Sequence, residues 1–199
     1  MTRRREDSAR RASTYKLLLG LPGVGLQALC GMLAQLTQGA AAVGMILVVH
    51  ESTGSLAIAG GVTAGFSAGV CVARPAQGRL IDRRGAPPVL TACAVLHVGA
   101  LIGLVAAAGS AAPAWALIQL GCLAGLGLPP VSTSMRVAWG RRMPGEGRTA
   151  AFSLVYLTQT MAILVGPLLL GALVALASAS LALAAVAGVA GGGTLVFAR

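Results

Sequence analysis

Long uncharged apolar segments constrain this chain more than any other feature. Of its 199 residues, 56% are hydrophobic and only 10% are charged, whereas a soluble domain carries about 25% charged residues. Several of the apolar segments exceed the roughly 20 residues that an α-helix needs to cross a bilayer. The sequence therefore predicts an all-α membrane protein that crosses the bilayer several times.

The apolar segments predict six membrane-spanning helices, numbered here span 1 to span 6. Their expected ranges are residues 24–50, 56–77, 87–108, 114–139, 149–175 and 180–197. Residues 1–16 precede them as a basic arm, and the transmembrane domain covers residues 17–199. The glycines of span 2, four residues apart, predict close helix packing. The Pro129-Pro130 pair predicts a kink in span 4.

The placement of the positive charges predicts the orientation in the membrane. The net charge is +10, and all fifteen lysines and arginines lie before span 1, around the connections 2–3 and 4–5, or at the last residue. The positive-inside rule places these regions, and both termini, in the cytoplasm. Basic groups beside a membrane meet anionic lipid headgroups, so membrane lipids rather than nucleic acids are the expected partners.

The cysteines and the loops give no sign of a cofactor. The four cysteines lie in different apolar segments without the spacing of metal ligands, and they are predicted to be inert: Cys30, Cys71, Cys93 and Cys122. No phosphate-binding loop for ATP is present, and no metal, nucleotide or prosthetic group is suggested. Energy for any transport would therefore come from an ion gradient.

The charged stretch between spans 2 and 3 carries the most specific motif. It is expected to be a loop, has a glycine at each end and holds one acid among three arginines. It resembles the loop between helices two and three of major facilitator superfamily transporters, roughly G-x-L-x-D-R-x-G-R-[R/K]. The matching residues are Gly78, Leu80, Asp82, Arg83 and Gly85, whereas Ala86 and Pro87 occupy the two trailing basic positions. The resemblance implies a cytoplasmic gate. Asp82 can pair with a cation or cap a helix N-terminus, a contact made in one conformation and broken in another, and Arg136 at the inner end of span 4 is a candidate partner for it.

A second resemblance lies in span 5. Gly166, Pro167 and Gly171 are similar to the G-P-x-x-G-G signature of a drug/proton antiporter branch of that superfamily. The glycine after the proline comes one residue late, and the second glycine is absent. Taken together, nearly the whole chain resembles the amino-terminal six-helix half of a bacterial drug-efflux transporter, which implies the bacterial inner (plasma) membrane.

Polar residues on otherwise apolar helices are candidates for a substrate cavity. Intramembrane polar groups normally face other helices or water, so these residues either join helices by hydrogen bonds or line a cavity. The candidates are Gln35, Gln38, Thr63, Gln119, Tyr156 and Gln159.

The resemblance implies small-molecule transport by alternating access, as ion-gradient-driven efflux, with substrate held between two six-helix halves. This chain supplies one half, so a second half is expected as a partner, either a separate chain or a second copy. A non-transporting membrane subunit, or a truncated fragment, is the alternative.

An enzyme is the third reading, and it is not expected. Ser67 lies in a G-x-S-x-G pattern and His97 is near the middle of span 3, as an intramembrane serine protease would require. However, the pattern lies within a helix, and no third residue is evident to orient the histidine.

Overall fold

The protein is a bundle of α-helices. The computed structural model describes residues 24–142 and 146–198, and every regular element in those ranges is helical. The helices are α1 (Val24–Ala34), α2 (Leu36–Thr53), α3 (Leu56–Arg84), α4 (Ala86–Gly109), α5 (Ala114–Leu126), α6 (Val131–Arg142), α7 (Glu146–Leu176) and α8 (Ala179–Phe197). They make six spans long and apolar enough to cross a membrane. Span 1 is α1 with α2, and span 4 is α5 with α6.

The six spans confirm the all-α prediction. The basic arm predicted for residues 1–16 lies outside the described residues.

Short polar turns end the helices on one side of the bundle. Gly54 ends α2 with a left-handed φ of +67°, a conformation that favours glycine. Ser55 follows, and its side chain accepts a hydrogen bond from the Ile58 N–H at 3.3 Å. Ser178 caps α8 in the same way, accepting from Leu181 at 3.3 Å. These caps explain why the chain turns back within a few residues.

The charged stretch predicted to be a loop is helical, and that prediction was wrong. Helix α3 continues through Arg84, and Gly85, with φ +81°, ends it. Residues 79–84 contain no glycine or proline, and Arg79, Asp82 and Arg83 are exposed. The charges therefore reach solvent without any need for the helix to unwind. A single residue separates α3 from α4.

Two of the six spans are interrupted. Span 1 breaks at Gln35, where φ is −100° and ψ is 0°, and the Gln35 N–H bonds the Met32 carbonyl three residues back at 3.1 Å. Span 4 breaks between Leu126 and Val131, around the two prolines. The kink predicted for span 4 is therefore present. The break at Gln35 was not predicted, because no proline lies near it in the sequence.

Gln77 of span 2 donates a hydrogen bond in place of the backbone N–H that Pro130 of span 4 lacks. In an unbroken helix, the N–H of residue 130 would bond the carbonyl of Leu126, but Pro130 has no N–H. The Gln77 side-chain nitrogen donates to that carbonyl instead, at 2.9 Å, and to the Leu128 carbonyl at 3.2 Å. A glutamine from a neighbouring helix thus stabilises the break.

Glycines bring span 2 and span 4 into backbone contact, as the glycine spacing of span 2 predicted. A methyl group on Gly69 would overlap the carbonyl oxygen of Cys122, and one on Gly125 would overlap that of Phe66. On Gly121 it would lie 2.5 Å from the Val62 carbonyl oxygen. Both helices therefore contribute glycines to one tight contact.

The spans differ strongly in how much of their surface the bundle covers. Only 17% of the most apolar stretch of span 5 and 28% of that of span 2 is buried, against 56% for span 1. Spans 2 and 5 therefore present broad faces to whatever surrounds the bundle. On span 5 these faces carry large apolar side chains, namely Leu157, Ile163, Leu164 and Leu168.

Candidate functional site

Two of the predicted cavity residues come together between span 1 and span 5. The Gln159 amide nitrogen donates to the Gln38 side-chain oxygen at 3.5 Å, and both side chains are partly exposed. Each residue lies well inside its span. This bond leaves the Gln38 amide nitrogen and the Gln159 side-chain oxygen for further hydrogen bonds, in side chains that are partly exposed.

The glycine-proline pair of span 5 sits directly against span 1. A methyl group on Gly166 would overlap the Leu36 carbonyl oxygen, and one on Gly39 would lie 2.6 Å from the Ile163 carbonyl oxygen and 3.1 Å from the Pro167 ring. The two backbones therefore touch next to Gln38 on span 1, and one to two helical turns beyond Gln159 on span 5. Gly171, the third motif residue, has open space where a side chain would lie and takes no part in this contact.

Tyr156 lies on the uncovered face of span 5. Its side chain is 65% exposed. Ser153 and Thr160 are exposed on the same helix, but their hydroxyls donate to backbone carbonyls of their own helix, to Thr149 at 3.0 Å and Tyr156 at 2.9 Å. The serine and the threonine are thereby satisfied locally, whereas the Tyr156 side chain points away from the bundle.

Gln35 occupies a different place from the other candidates. It is fully buried at the break in span 1, where its amide nitrogen donates to the Gly31 carbonyl at 2.8 Å and lies 4.0 Å from the Met135 sulfur. Its side-chain oxygen is buried without a partner among the described residues. Gln35 therefore joins span 1 to span 4 in this conformation and does not line an open cavity.

Thr63 and Gln119 lie apart from the glutamine pair. The Thr63 hydroxyl bonds carbonyls of its own helix, at 3.1 Å to Ala59 and 2.9 Å to Gly60. Gln119 is exposed on α5. Neither side chain is hydrogen-bonded to Gln38 or Gln159, so the structure does not unite the six predicted residues in one cluster.

A buried histidine joins three spans, and the sequence did not identify its partners. His97 of span 3 is 2% exposed. Its Nδ1 lies 2.7 Å from the Ala124 carbonyl of span 4, and its Nε2 lies 3.1 Å from the Thr37 hydroxyl of span 1. Both ring nitrogens are therefore engaged. The sequence signal for a structural histidine is its position near the middle of an apolar helix.

The Ser67 and His97 pair does not form a catalytic dyad in this structure. Ser67 is exposed on span 2, and its hydroxyl donates to the Thr63 carbonyl at 3.0 Å. The histidine is held by Ala124 and Thr37, as described above. The nucleophile and base of a serine hydrolase must be hydrogen-bonded to each other or close to it.

The charged motif lies at the end of α3. Gly78, Leu80, Asp82, Arg83 and Gly85 are all exposed there. The structure shows no ion pair between Asp82 and Arg136 among the described residues. Arg136 instead lines a cavity between α6 and α7. The gating role of the motif stays a prediction.

Among residues 24–142 and 146–198, no group of three or more histidine, cysteine or acidic side chains is arranged to hold a metal ion. The candidate site is therefore built from amides, a phenol and close backbone contacts. Such groups can hold a ligand by hydrogen bonds and by the shape of the site.

Comparison with known proteins gives one result that bears on identity. A search of curated proteins and a search of solved structures find no match. Residues 27–199 match the protein family described as Major Facilitator Superfamily. The match takes in most of α1 and all the later helices, including the charged motif and the span 1–span 5 contact. This chain belongs to the major facilitator superfamily of membrane transporters.

Proposed function

We propose that the protein exports a small, largely apolar molecule across a bacterial inner membrane by alternating access, driven by an ion gradient. The observation that carries this proposal is the Gln38–Gln159 pair, which places hydrogen-bonding groups on an otherwise apolar, open side of the bundle. A few neutral polar groups in apolar surroundings suit an apolar substrate with one or two polar atoms.

The neighbouring contact supports movement at this place. Span 1 is interrupted at Gln35, and span 5 meets the span 1 backbone directly at Gly166. A smooth backbone contact lets one helix shift against another at little cost in packing. Interrupted helices next to a binding site are a recurrent feature of transporters.

A second six-helix half completes the site in this proposal. Spans 2 and 5 are the least covered of the six, and Tyr156 is 65% exposed on span 5. A hydroxyl without a partner in hydrocarbon costs about 1–3 kcal/mol. A half with the same orientation, either a separate chain or a second copy of this one, removes that cost and encloses the glutamine pair.

Asp82 acts as part of the cytoplasmic gate. It lies at the end of α3, exposed and unpaired with Arg136 in this conformation. An ion pair that forms in one conformation and breaks in another stabilises the first relative to the second. With both termini in the cytoplasm, as the distribution of arginines predicts, this end of α3 faces the cytoplasm.

Transport by reconstituted protein tests the proposal. The full chain is reconstituted in liposomes together with its second half, or alone if it forms dimers, and uptake of the fluorescent cation ethidium is measured with an imposed pH gradient. The doubly substituted Gln38→Ala/Gln159→Ala protein should transport about tenfold more slowly, since each lost hydrogen bond contributes about 0.5–1.5 kcal/mol.

Ser153→Ala is the matched control, because that hydroxyl bonds only its own helix. Wild-type rates in the double variant would show that the glutamine pair does not bind substrate. Absence of ethidium uptake under every gradient and in every preparation would contradict the proposal and favour the alternative of a non-transporting membrane subunit.

A further inference from the structure

A cavity at the inner ends of spans 4 and 5 is lined by three arginines. It has a volume of about 290 Å³ and lies between α6 and α7. Arg136 and Arg141 come from α6 and Arg148 from α7. No carboxylate lines it among the described residues. Three arginine side chains thus line one small space, and none of the described residues that line it is acidic.

Packing between α6 and α7 positions part of the cavity lining. The Arg148 guanidinium lies 5.4 Å from the centre of the Phe152 ring, a cation–π contact that fixes its position. Gly140 makes room for both, since a methyl group there would lie 3.2 Å from the ring and 3.6 Å from the Arg148 side-chain nitrogen. Packing against Phe152 therefore positions Arg148, while all three arginines are exposed to the surroundings.

The cavity lies at the boundary between apolar and polar parts of the chain. Span 4 ends at Arg141 and span 5 begins at Gly147. Val137 and Phe152 form an apolar wall next to the arginines. The sequence from residue 136 to 148 contains four arginines against one acid, Glu146. A ligand at this boundary would contact both arginines and apolar side chains.

We propose that this cavity binds a phosphate group presented at the membrane surface. Guanidinium groups bind phosphate oxygens in pairs, with geometry that a lysine cannot offer. The headgroup of an anionic phospholipid supplies such a phosphate and lays its acyl chains along the apolar wall. A free phosphate or phosphorylated solute has the same chemistry without the chains.

Lipid binding by the purified full chain tests this proposal. The chain in detergent is delipidated, and binding of dioleoylphosphatidylglycerol is measured by native mass spectrometry, with dioleoylphosphatidylcholine for comparison. Each single substitution, Arg136→Gln, Arg141→Gln or Arg148→Gln, should weaken phosphatidylglycerol binding about tenfold, because a charge-assisted hydrogen bond to the phosphate is lost. The triple variant should lose the bound lipid.

Two control proteins separate the cavity from simple charge attraction. Arg79→Gln/Arg83→Gln/Arg84→Gln removes three exposed arginines outside the cavity and should leave binding within twofold of wild type. Val137→Trp keeps all three cavity arginines but fills the space, and Val137 is 47% exposed, so the fold tolerates the change. This variant should bind phosphatidylglycerol as poorly as the triple cavity variant.

A third measurement distinguishes a lipid headgroup from a free phosphate as the ligand of the cavity. Displacement of phosphatidylglycerol by 10 mM inorganic phosphate, both from wild type and from the Arg79→Gln/Arg83→Gln/Arg84→Gln protein, would assign the cavity to free phosphates, whereas retention of the lipid would assign it to lipid headgroups. Equal loss in the two triple variants, or full binding by Val137→Trp, would overturn the proposal. So would phosphatidylcholine binding as tightly as phosphatidylglycerol.

Discussion

Replacement of Gln77 by leucine gives the sharpest test of how this bundle tolerates a broken helix. The change removes the donor that serves the Leu126 carbonyl at 2.9 Å and the Leu128 carbonyl at 3.2 Å. Gln77 is 6% exposed, so water does not replace it. Leucine has a similar volume, which keeps the loss of packing small.

The expected loss follows from the groups left without partners. Two buried carbonyls each cost about 1–3 kcal/mol when unsatisfied. The substitution also removes the Gln77 side-chain oxygen, which has no partner among the described residues, and that gain offsets about one of the two losses. Side-chain hydrogen bonds measured in a membrane protein average about 0.6 and reach about 1.7 kcal/mol. We therefore expect Gln77→Leu to lower the free energy of unfolding by about 1–2 kcal/mol.

A double-mutant cycle with the prolines separates this mechanism from general loss of packing. Pro130→Ala restores an N–H that can reach the Leu126 carbonyl, so Gln77→Leu should cost about 1 kcal/mol less in that background. Pro129→Ala is the control, because the Gly125 carbonyl that its N–H would serve already accepts from the Leu128 N–H at 3.1 Å. No coupling between Gln77 and Pro129 is expected.

Unfolding of the full chain in mixed detergent and SDS micelles measures all four proteins of each cycle. Trp139, in α6 of span 4, is 2% exposed and donates to the Gln27 side chain at 3.1 Å, so its fluorescence reports on this region. If Gln77→Leu costs the same in the wild-type, Pro129→Ala and Pro130→Ala backgrounds, the donor-replacement argument is refuted.

Three further predictions concern movement and topology. Gly166→Val should force span 5 away from the Leu36 carbonyl and lower the thermal unfolding midpoint, whereas Gly171→Val, which meets open space, should not; equal shifts would contradict the close-contact argument. Asp82→Asn should leave expression unchanged but alter thiol labelling of a cysteine placed at Tyr156, because a gate interaction is lost; unchanged labelling and wild-type transport would rule out the gating role. A single cysteine at Ser52 should react with an impermeant thiol reagent in intact cells and one at Gly145 should not, and labelling at Gly145 would contradict the six-span topology.

The sequence by itself determined the class of fold and the family. Hydrophobic length is a local property, so six spans and their turns follow from where charges, glycines and prolines interrupt the apolar runs. The glycine spacing of span 2 and the Pro129-Pro130 pair predicted a close contact and a kink, and both are present. The role of a residue can be predicted from the sequence in this way when it depends only on backbone geometry.

Only the tertiary structure decided which polar side chains meet. Gln35, Gln38 and Gln159 look equivalent in the sequence, yet Gln35 is buried against span 4 and the other two pair across spans 1 and 5. Gln77 looked like the last residue of its span, but it stabilises a break about fifty positions away in the sequence. The helical state of the Asp82 stretch was missed because exposed charges do not require a helix to end. A polar side chain inside a membrane must find a partner, and the packing of the helices, rather than the local sequence, chooses which one.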